Sequence, residues 1–451
     1  MDRAKKEFKT DMCHGNLFTG ILFFSVPLML SNLLQVLFNM ADIAVVGRFA
    51  GAKALGEVGS TSTLILLFTG TLIGLGAGVN VVTAYFLGAK KRSDVNETVH
   101  TAVILCVLFA LAILAASEWG ARIMLSAMKT KAELLDGAVL YFRIYMLSLP
   151  ALSLYNFGNA VLSAAGDTRR PLLFLSIAGA VNVALNLLFV IVFKMDAAGV
   201  AIASVIAQYV SAVLIVWTLS RGCNGIMLSA SCLSVNAHKV RQILKIGIPS
   251  GFQYAIFAFA NIFIQSGVNT FSAAMVAGNA AAANADPLVY DIMAAFYTAG
   301  ASFIAQNHGA GNRRRVLTSY FVSTGYAFLT GLFLGALLLV FGRAFLFLFA
   351  ADETVVSAGL ERISVMALSY CVSAFMDATI AASRGLGKTL VPSIIVILGS
   401  CVFRIVWLYT IFAYFRTIES LFLLYVFSWT ITSIAEIAYF IFCFRREMRS
   451  E

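Results

Sequence analysis

Asn32, Gln35, Asn39 and Asp42 recur at i, i+3, i+7 and i+10 in and around the oily stretch "QVLFNMADIAVVGR" (35–48). At 100° per residue these four side chains fall within roughly an 80° arc of one helix face. The other faces carry Leu, Val, Phe, Met and Ile. A charge at the centre of a bilayer costs about 2.5–3.5 kcal/mol on insertion scales. The stripe must therefore face a neighbouring helix or water. Further acids stand inside apolar runs, Asp286, Asp291, Asp377 and Glu436, against two bases, Arg143 and Arg404. A fully paired network would need a closer balance. The excess of acid implies a cavity that accepts cations, with carboxylates that bind Na⁺ or take up protons.

The other polar positions repeat the pattern. A helix near 245–270 carries Gln253, Asn261, Gln265 and Asn269 broadly on one face. Asn182 and Asn186 stand one turn apart, as do Ser373 and Asp377, and Ser428, Thr432 and Glu436 follow at four-residue steps. Tyr155 and Asn156 lie in a further apolar run, and Phe38, Tyr155, Phe257, Phe296 and Tyr297 supply aromatic surface for an amphipathic guest. The expected cleft lining is Gln35, Asn39, Tyr155, Asn156, Gln253, Phe257, Asn261, Gln265, Asp291 and Arg404. The expected cation-coupling set is Asp42, Asn182, Asn186, Asp377 and Glu436. Arg404 is expected to form a salt bridge with Glu436 or Asp377, and Asp286, before Pro287, to mark a helix break.

The elements that position these residues follow from composition. The 451-residue chain is 60% hydrophobic and 12% charged, too poor in charge for a soluble surface. Apolar runs of about 20 residues are long enough to cross a bilayer as helices. Twelve are expected, near 17–47, 58–87, 96–117, 134–162, 171–193, 198–220, 245–270, 277–307, 317–341, 357–383, 392–415 and 420–444. Of the 32 Lys and Arg, 21 fall in the tails and the even-numbered loops, so both termini are expected in the cytoplasm and the +10 charge marks a basic cytoplasmic face, not a nucleic-acid partner. The seven cysteines stand singly and read as reduced, buried small hydrophobes.

The second half repeats the first at a shift of about 221. "AYFLGAKKRSDV" (84–95) aligns with "AQNHGAGNRRRV" (305–316), and "GDTRRP" (166–171) with "GKTLVP" (387–392). Pro27 aligns with Pro249, and Asn39 with Asn261. The expected organisation is an N-terminal six-helix lobe (1–221), a cytoplasmic linker (222–244) and a C-terminal six-helix lobe (245–451). Six crossings per lobe bring both halves in from the same side, so a pseudo-twofold axis along the membrane normal relates them, and a cleft between the lobes would permit alternating access.

Two glycine-rich stretches carry no nucleotide chemistry. "GTLIGLGAGVN" (70–80) lies in a spanning run with no preceding strand and reads as close helix packing. "ASRGLGKT" (382–389) has Ala382 where a phosphate loop needs its first glycine. No nucleophile–base pair or metal-ligand cluster is legible, and the four histidines are scattered, which argues against an enzyme.

Four segments, "NMADIAVVGRFAG" (39–51), "AAGDTRRP" (164–171), "AQNHGAGNRRR" (305–315) and "SAFMDATIAASRGLGKT" (373–389), together resemble the multidrug and toxic compound extrusion (MATE) family over nearly the whole chain. The resemblance implies a cation-coupled antiporter of the plasma membrane that exports amphipathic, often cationic, organic compounds. It implies no cofactor beyond Na⁺ or H⁺ as coupling ion, and small organic molecules and lipid as partners; the chain is expected to act as a monomer. Asp42 matches the family's first-helix acid and Asp377 its tenth-helix acid. The family's fifth helix often reads Asn then Asp four residues later; this chain reads Asn182 and Asn186. The seventh-helix Glu of some members aligns near Phe257. These departures leave Na⁺ and H⁺ both open. A flippase for lipid-linked oligosaccharides or other lipid phosphates is the alternative, and a non-transporting membrane sensor is a third reading.

Overall fold

A computed structural model describes residues 10–223 and 225–447, apart from the side chain at 258. Residues 1–9 and 448–451, whose Lys and Arg entered the orientation argument, lie outside the described residues. The architecture is all-α. The first half holds α1 (Leu17–Val45), α2 (Gly51–Gly88), α3 (Arg92–Ala127), α4 (Ala132–Met146), α5 (Leu149–Ala164), α6 (Arg169–Leu187) and α7 (Asp196–Ser220). The second holds α8 (Ala237–Val268), α9 (Ala273–Ala283), α10 (Ala285–Gly309), α11 (Arg313–Phe347), α12 (Glu353–Met366), α13 (Tyr370–Gly385), α14 (Leu390–Val396), α15 (Phe403–Trp407), α16 (Ala413–Phe415) and α17 (Ile418–Glu447).

These segments make the twelve expected crossings. Among the described residues, nine helical stretches are long and apolar enough to span, and the bent pairs α4–α5 (41°) and α12–α13 (50°) add two. The stretch Leu17–Gly88 holds 72 residues. At 1.5 Å per residue it is more than three times the roughly 30 Å of a hydrocarbon core, so it supplies two crossings. They part at Gly51, whose φ of 86° only glycine adopts without strain. Pro150 sits in the first turn of α5, beside the bend in the first half. The second half bends at the equivalent place, 367–369, without a proline.

By packing, the chain forms two compact units that differ from the expected halves. Of the described residues, one unit comprises 10–11 and 30–252, the other 12–29 and 253–447. The first stretch of α1 thus belongs to the second unit and the first stretch of α8 to the first. Each change of unit falls two or three residues after an in-helix proline, Pro27 in α1 and Pro249 in α8. Proline removes a helical hydrogen bond and permits a bend there.

Each exchanged segment is gripped by small residues. In the first unit, a Cβ on Gly74 would overlap the backbone of Gly251, and one on Gly78 would lie 2.5 Å from the Ile243 carbonyl oxygen and 3.1 Å from the Gly247 nitrogen. Two glycine pairs at four-residue spacing therefore bring α2 and α8 into backbone contact. In the second unit, Ala295 and Ala299 stand at the repeat-equivalent positions and pack with Ile21, Phe24 and Leu28 of α1. Phe24 meets Phe303 edge to face at 5.6 Å.

Side chains also pin the segments that lead in. Asn307 Nδ2 donates to the Met12 carbonyl (2.9 Å), and Arg315 donates to the carbonyls of Gly15 (2.9 Å) and Met12 (3.1 Å). In the first unit, the expected linker lies along α3. Ser229 N donates to His100 Nε2 (3.1 Å), Asn236 Nδ2 to Glu97 (2.9 Å), and Lys239 pairs with Asp94 above the Phe86 ring. The linker's last residues are already the start of α8.

Gly74→Val should lower unfolding stability by about 1–3 kcal/mol, since the backbone it would strike cannot step aside. Thermal unfolding in detergent measures this. Gly59→Ala, in the same helix with open space around it, should be neutral or mildly stabilising.

Candidate functional site

In the first unit, four residues from three helices form one hydrogen-bonded cluster around the Asp42 carboxylate. Asn186 Nδ2 donates to Asp42 Oδ1 (2.5 Å) and to Asn182 Oδ1 (3.1 Å). Ser204 Oγ donates to Asp42 Oδ2 (3.2 Å) and accepts from Asn182 Nδ2 (3.2 Å). The one-turn spacing of the two asparagines puts both on the face of α6 that meets α1 and α7. Asn186 is 0% exposed, yet its Oδ1 has no hydrogen-bond partner. The cluster gathers two carboxylate oxygens, two amide oxygens and one hydroxyl around a single negative charge, a donor set suited to a hard monovalent cation or a proton.

The backbone is adapted beneath this cluster. α1 passes into a π-helical turn at Val46–Ala50, just beyond Asp42, and α6 into another at Leu188–Val192, just beyond Asn186. Such turns concentrate at functional sites because they shift side chains off the regular register. Asp42 also acts electrostatically on Tyr141 and Tyr145, which stack 6.1 Å apart. Gln35 and Asn39 of the opening stripe are exposed, while Asn32 and Asp42 are half-buried.

The second unit gathers a mixed group. Asp377 on α13 is half-buried and, among the described residues, forms no hydrogen bond or ion pair. It shares an electrostatic neighbourhood with Tyr254, Asp291, Tyr297 and Arg384. Arg384 stands seven residues after Asp377, two turns along the same face, and its buried Nε lacks a partner. Arg384, one residue past the end of the span expected at 357–383, lies in the last turn of α13.

Several expectations are corrected. Arg404 makes no salt bridge with Glu436 or Asp377. Its Nε donates to Ser428 Oγ (3.1 Å), and its guanidinium lies over Tyr425 (4.4 Å), Trp429 (5.7 Å) and Phe257 (5.9 Å). Asp286 does more than mark a break: it binds Arg362 (2.7 Å) and the Tyr370 hydroxyl (2.6 Å). Arg143 is not a deep charge, since it is exposed and lies 3.7 Å from Glu118. Tyr155, expected in the cleft lining, is buried and its hydroxyl donates to the Pro171 carbonyl (3.1 Å). With Arg362 and Arg384 counted, the second unit sets three interior arginines against Asp286, Asp291, Asp377 and Glu436. The expected acid excess nearly vanishes there.

The remaining candidates separate by burial. Asn261 and Gln265 are exposed, with Gln265 Nε2 donating to Asn269 Oδ1 (2.9 Å). Gln253, Asn156 and Asp291 are half-buried, and Gln253 Oε1 and Asn156 Nδ2 lack partners. Glu436 is 0% exposed, and neither carboxyl oxygen has a hydrogen-bond partner. Ser204, Arg362 and Arg384 went unnoticed in the sequence. Serine is too common to stand out, and the two arginines stand near the two ends of the span expected at 357–383. Among the described residues, no group of three or more His, Cys, Asp and Glu is placed to hold a metal ion.

Twelve crossings in two repeated units, with carboxylates and amides held inside the spanning helices, define a multi-pass membrane transporter. The comparisons specify which. The MatE family model matches residues 27–188 and again 249–410, two copies at the spacing of the internal repeat. The chain belongs to this family, the multidrug and toxic compound extrusion transporters, and is not an enzyme. It is 27% identical to the probable multidrug resistance protein YpnP of Bacillus subtilis (strain 168) over 374 residues, 80% of each chain. It is 22% identical to the probable multidrug resistance protein NorM of Thermotoga maritima over 403 residues, covering 87% of this chain and 85% of that one. A solved MOP superfamily transporter from Pyrococcus furiosus Vc1 (DSM3638), described as having a binding pocket of reverse polarity, shares the fold with a TM-score of 0.91 at 20% identity, covering 99% of each chain.

Arg362→Met should destabilise the protein by about 3 kcal/mol, because it strands the Asp286 carboxylate where hydration is poor. The partial exposure of Asp286 keeps the cost at the lower end of the usual range. Thermal unfolding of the variant against Arg362→Met/Asp286→Leu checks this: the double variant should recover much of the loss.

Proposed function

We propose that the chain is a cation-coupled antiporter of the cytoplasmic membrane that exports amphipathic organic compounds by alternating access, working as a monomer with both termini in the cytoplasm. The observation that carries the coupling is the Asp42 cluster. A carboxylate, two asparagines and a serine, with a buried amide oxygen left over, are more than one salt bridge or helix contact needs. Na⁺ or H⁺ arriving there cancels the Asp42 charge. If the two access states bind that cation with different affinity, the ion gradient shifts their populations. In the second unit the same role falls to Asp377 and Glu436, neither of which has a hydrogen-bond partner among the described residues.

The alternative, translocation of a lipid-linked oligosaccharide or other lipid phosphate, draws support from the three interior arginines of the second unit. The wealth of oxygen donors around Asp42 favours the antiporter, since a flippase driven by its own substrate gradient needs no such site.

Efflux from proteoliposomes under a Na⁺ gradient alone, then a pH gradient alone, tests the reading. One gradient should drive export. Asp42→Asn and Asp377→Asn should each reduce that export by about tenfold or more, equivalent to about 1.4 kcal/mol of lost coupling, while reaching the membrane at normal levels. Full export by Asp42→Asn would remove the cluster from the mechanism.

A further inference from the structure

Two arginines are buried in the second unit, and they are satisfied very differently. Arg362 is 4% exposed and has both an acid and a ring for company: Asp286 at 2.7 Å and Phe422 at 5.3 Å. Arg404 is 3% exposed and has rings but no acid. Its single hydrogen bond, Nε to Ser428 Oγ, uses one of five N–H donors. Asp377 feels its charge but stands beyond ion-pair distance. A buried guanidinium without an anion is costly, and a sequence keeps one only if something repays it.

The geometry says where the missing anion would sit. Tyr425, 4.4 Å from the guanidinium carbon, with Trp429 and Phe257 at 5.7 and 5.9 Å, provides aromatic surface for the charge to rest on. The bond to Ser428 fixes the plane by its Nε edge. The Nη edge remains, a planar fork that matches two oxygens of a carboxylate, sulfonate or phosphate. The backbone is irregular on both sides: Ile397–Val402 before α15 and Leu408–Phe412 after it are π-helical. These irregular turns bracket Arg404 as the ones in the first unit follow Asp42 and Asn186.

We propose that Arg404, set among Tyr425, Trp429 and Phe257, is a recognition site for an aromatic organic anion, so that this transporter selects guests bearing a carboxylate, sulfonate or phosphate and not the cationic guests expected from the sequence. The inference rests on the transport reading for its biological use. Its test needs no ion gradient, so the two can fail separately. The rings favour a flat aromatic anion over the phosphate of a lipid, whose acyl chains gain nothing from stacking.

The probes are naphthalene-2-sulfonate and 2-naphthylmethylammonium, the same ring system with opposite charge. Equilibrium dialysis against the purified full chain in detergent, corrected for empty micelles, reads their affinities. The sulfonate should bind at least about tenfold more tightly than the ammonium, the difference that one charge-assisted pair of hydrogen bonds supports. Arg404→Gln should erase that preference, and Arg404→Lys, which keeps the charge but not the fork, should retain a weakened one. Gel filtration shows whether each variant is folded, and the wild-type comparison stands without them. Absence of saturable sulfonate binding, tighter binding of the ammonium, or a preference that survives in folded Arg404→Gln overturns the proposal. Displacement of the sulfonate by dihexanoyl phosphatidate at lower concentration than by unlabelled sulfonate would assign the pocket to a lipid headgroup and overturn it equally.

Discussion

The constraint on which this structure depends is the cost of an ionised group among spanning helices. Hydrocarbon offers no hydrogen bonds, so each buried charge must find a protein partner, reach water or wait for a ligand. The chain uses different solutions. Arg362, Asp286 and Tyr370 form a closed set with the acid bound twice. Asp42 sits in a cage of amides and a hydroxyl that holds the carboxylate while leaving a buried amide oxygen unused. Among the described residues, Asp377 and Glu436 take no hydrogen bond, and Arg404 takes one. The first solution is architecture. The others leave capacity for something that comes and goes.

Close packing of small residues makes those placements durable. Gly74 and Gly78 let α8 approach α2 to backbone distance, and Ala295 and Ala299 hold α1 in the second unit. Each exchanged segment changes unit just past a proline, where a helix bends most easily. Asp42 therefore lies on the far side of such a point from the segment pinned by Asn307 and Arg315.

Much of this was legible in the sequence, for identifiable reasons. The crossings follow from hydropathy because the bilayer imposes one length on every helix. The repeat survives in residues the backbone cannot exchange: Gly166 and Gly387, 221 apart, adopt φ of 89° and 73°, which side chains rarely tolerate. Asn182, Asn186 and Asp42 were found by spacing, and they meet. What was not legible depended on tertiary contact. Nothing local distinguishes Ser204 from other serines in spanning helices, and the link between Asp286 and Arg362 joins residues 76 apart. Tyr155 looked like a cleft aromatic until the Pro171 carbonyl was seen to take its hydroxyl. The bend at 367–369 has no proline to announce it, and Arg384 lies just past the end of the expected span.

The central claim is that the carboxylates at Asp42 and Asp377 hold an exchangeable cation. Because a ligand that binds the folded state stabilises it by mass action, thermal unfolding of the purified protein tests this most directly, with Na⁺ exchanged for choline at constant ionic strength and the series repeated across pH. The account predicts that the midpoint rises with Na⁺ or with protons in the wild type, and that Asp42→Asn/Asp377→Asn flattens the dependence. An identical dependence in both proteins, or none in the wild type, would contradict it.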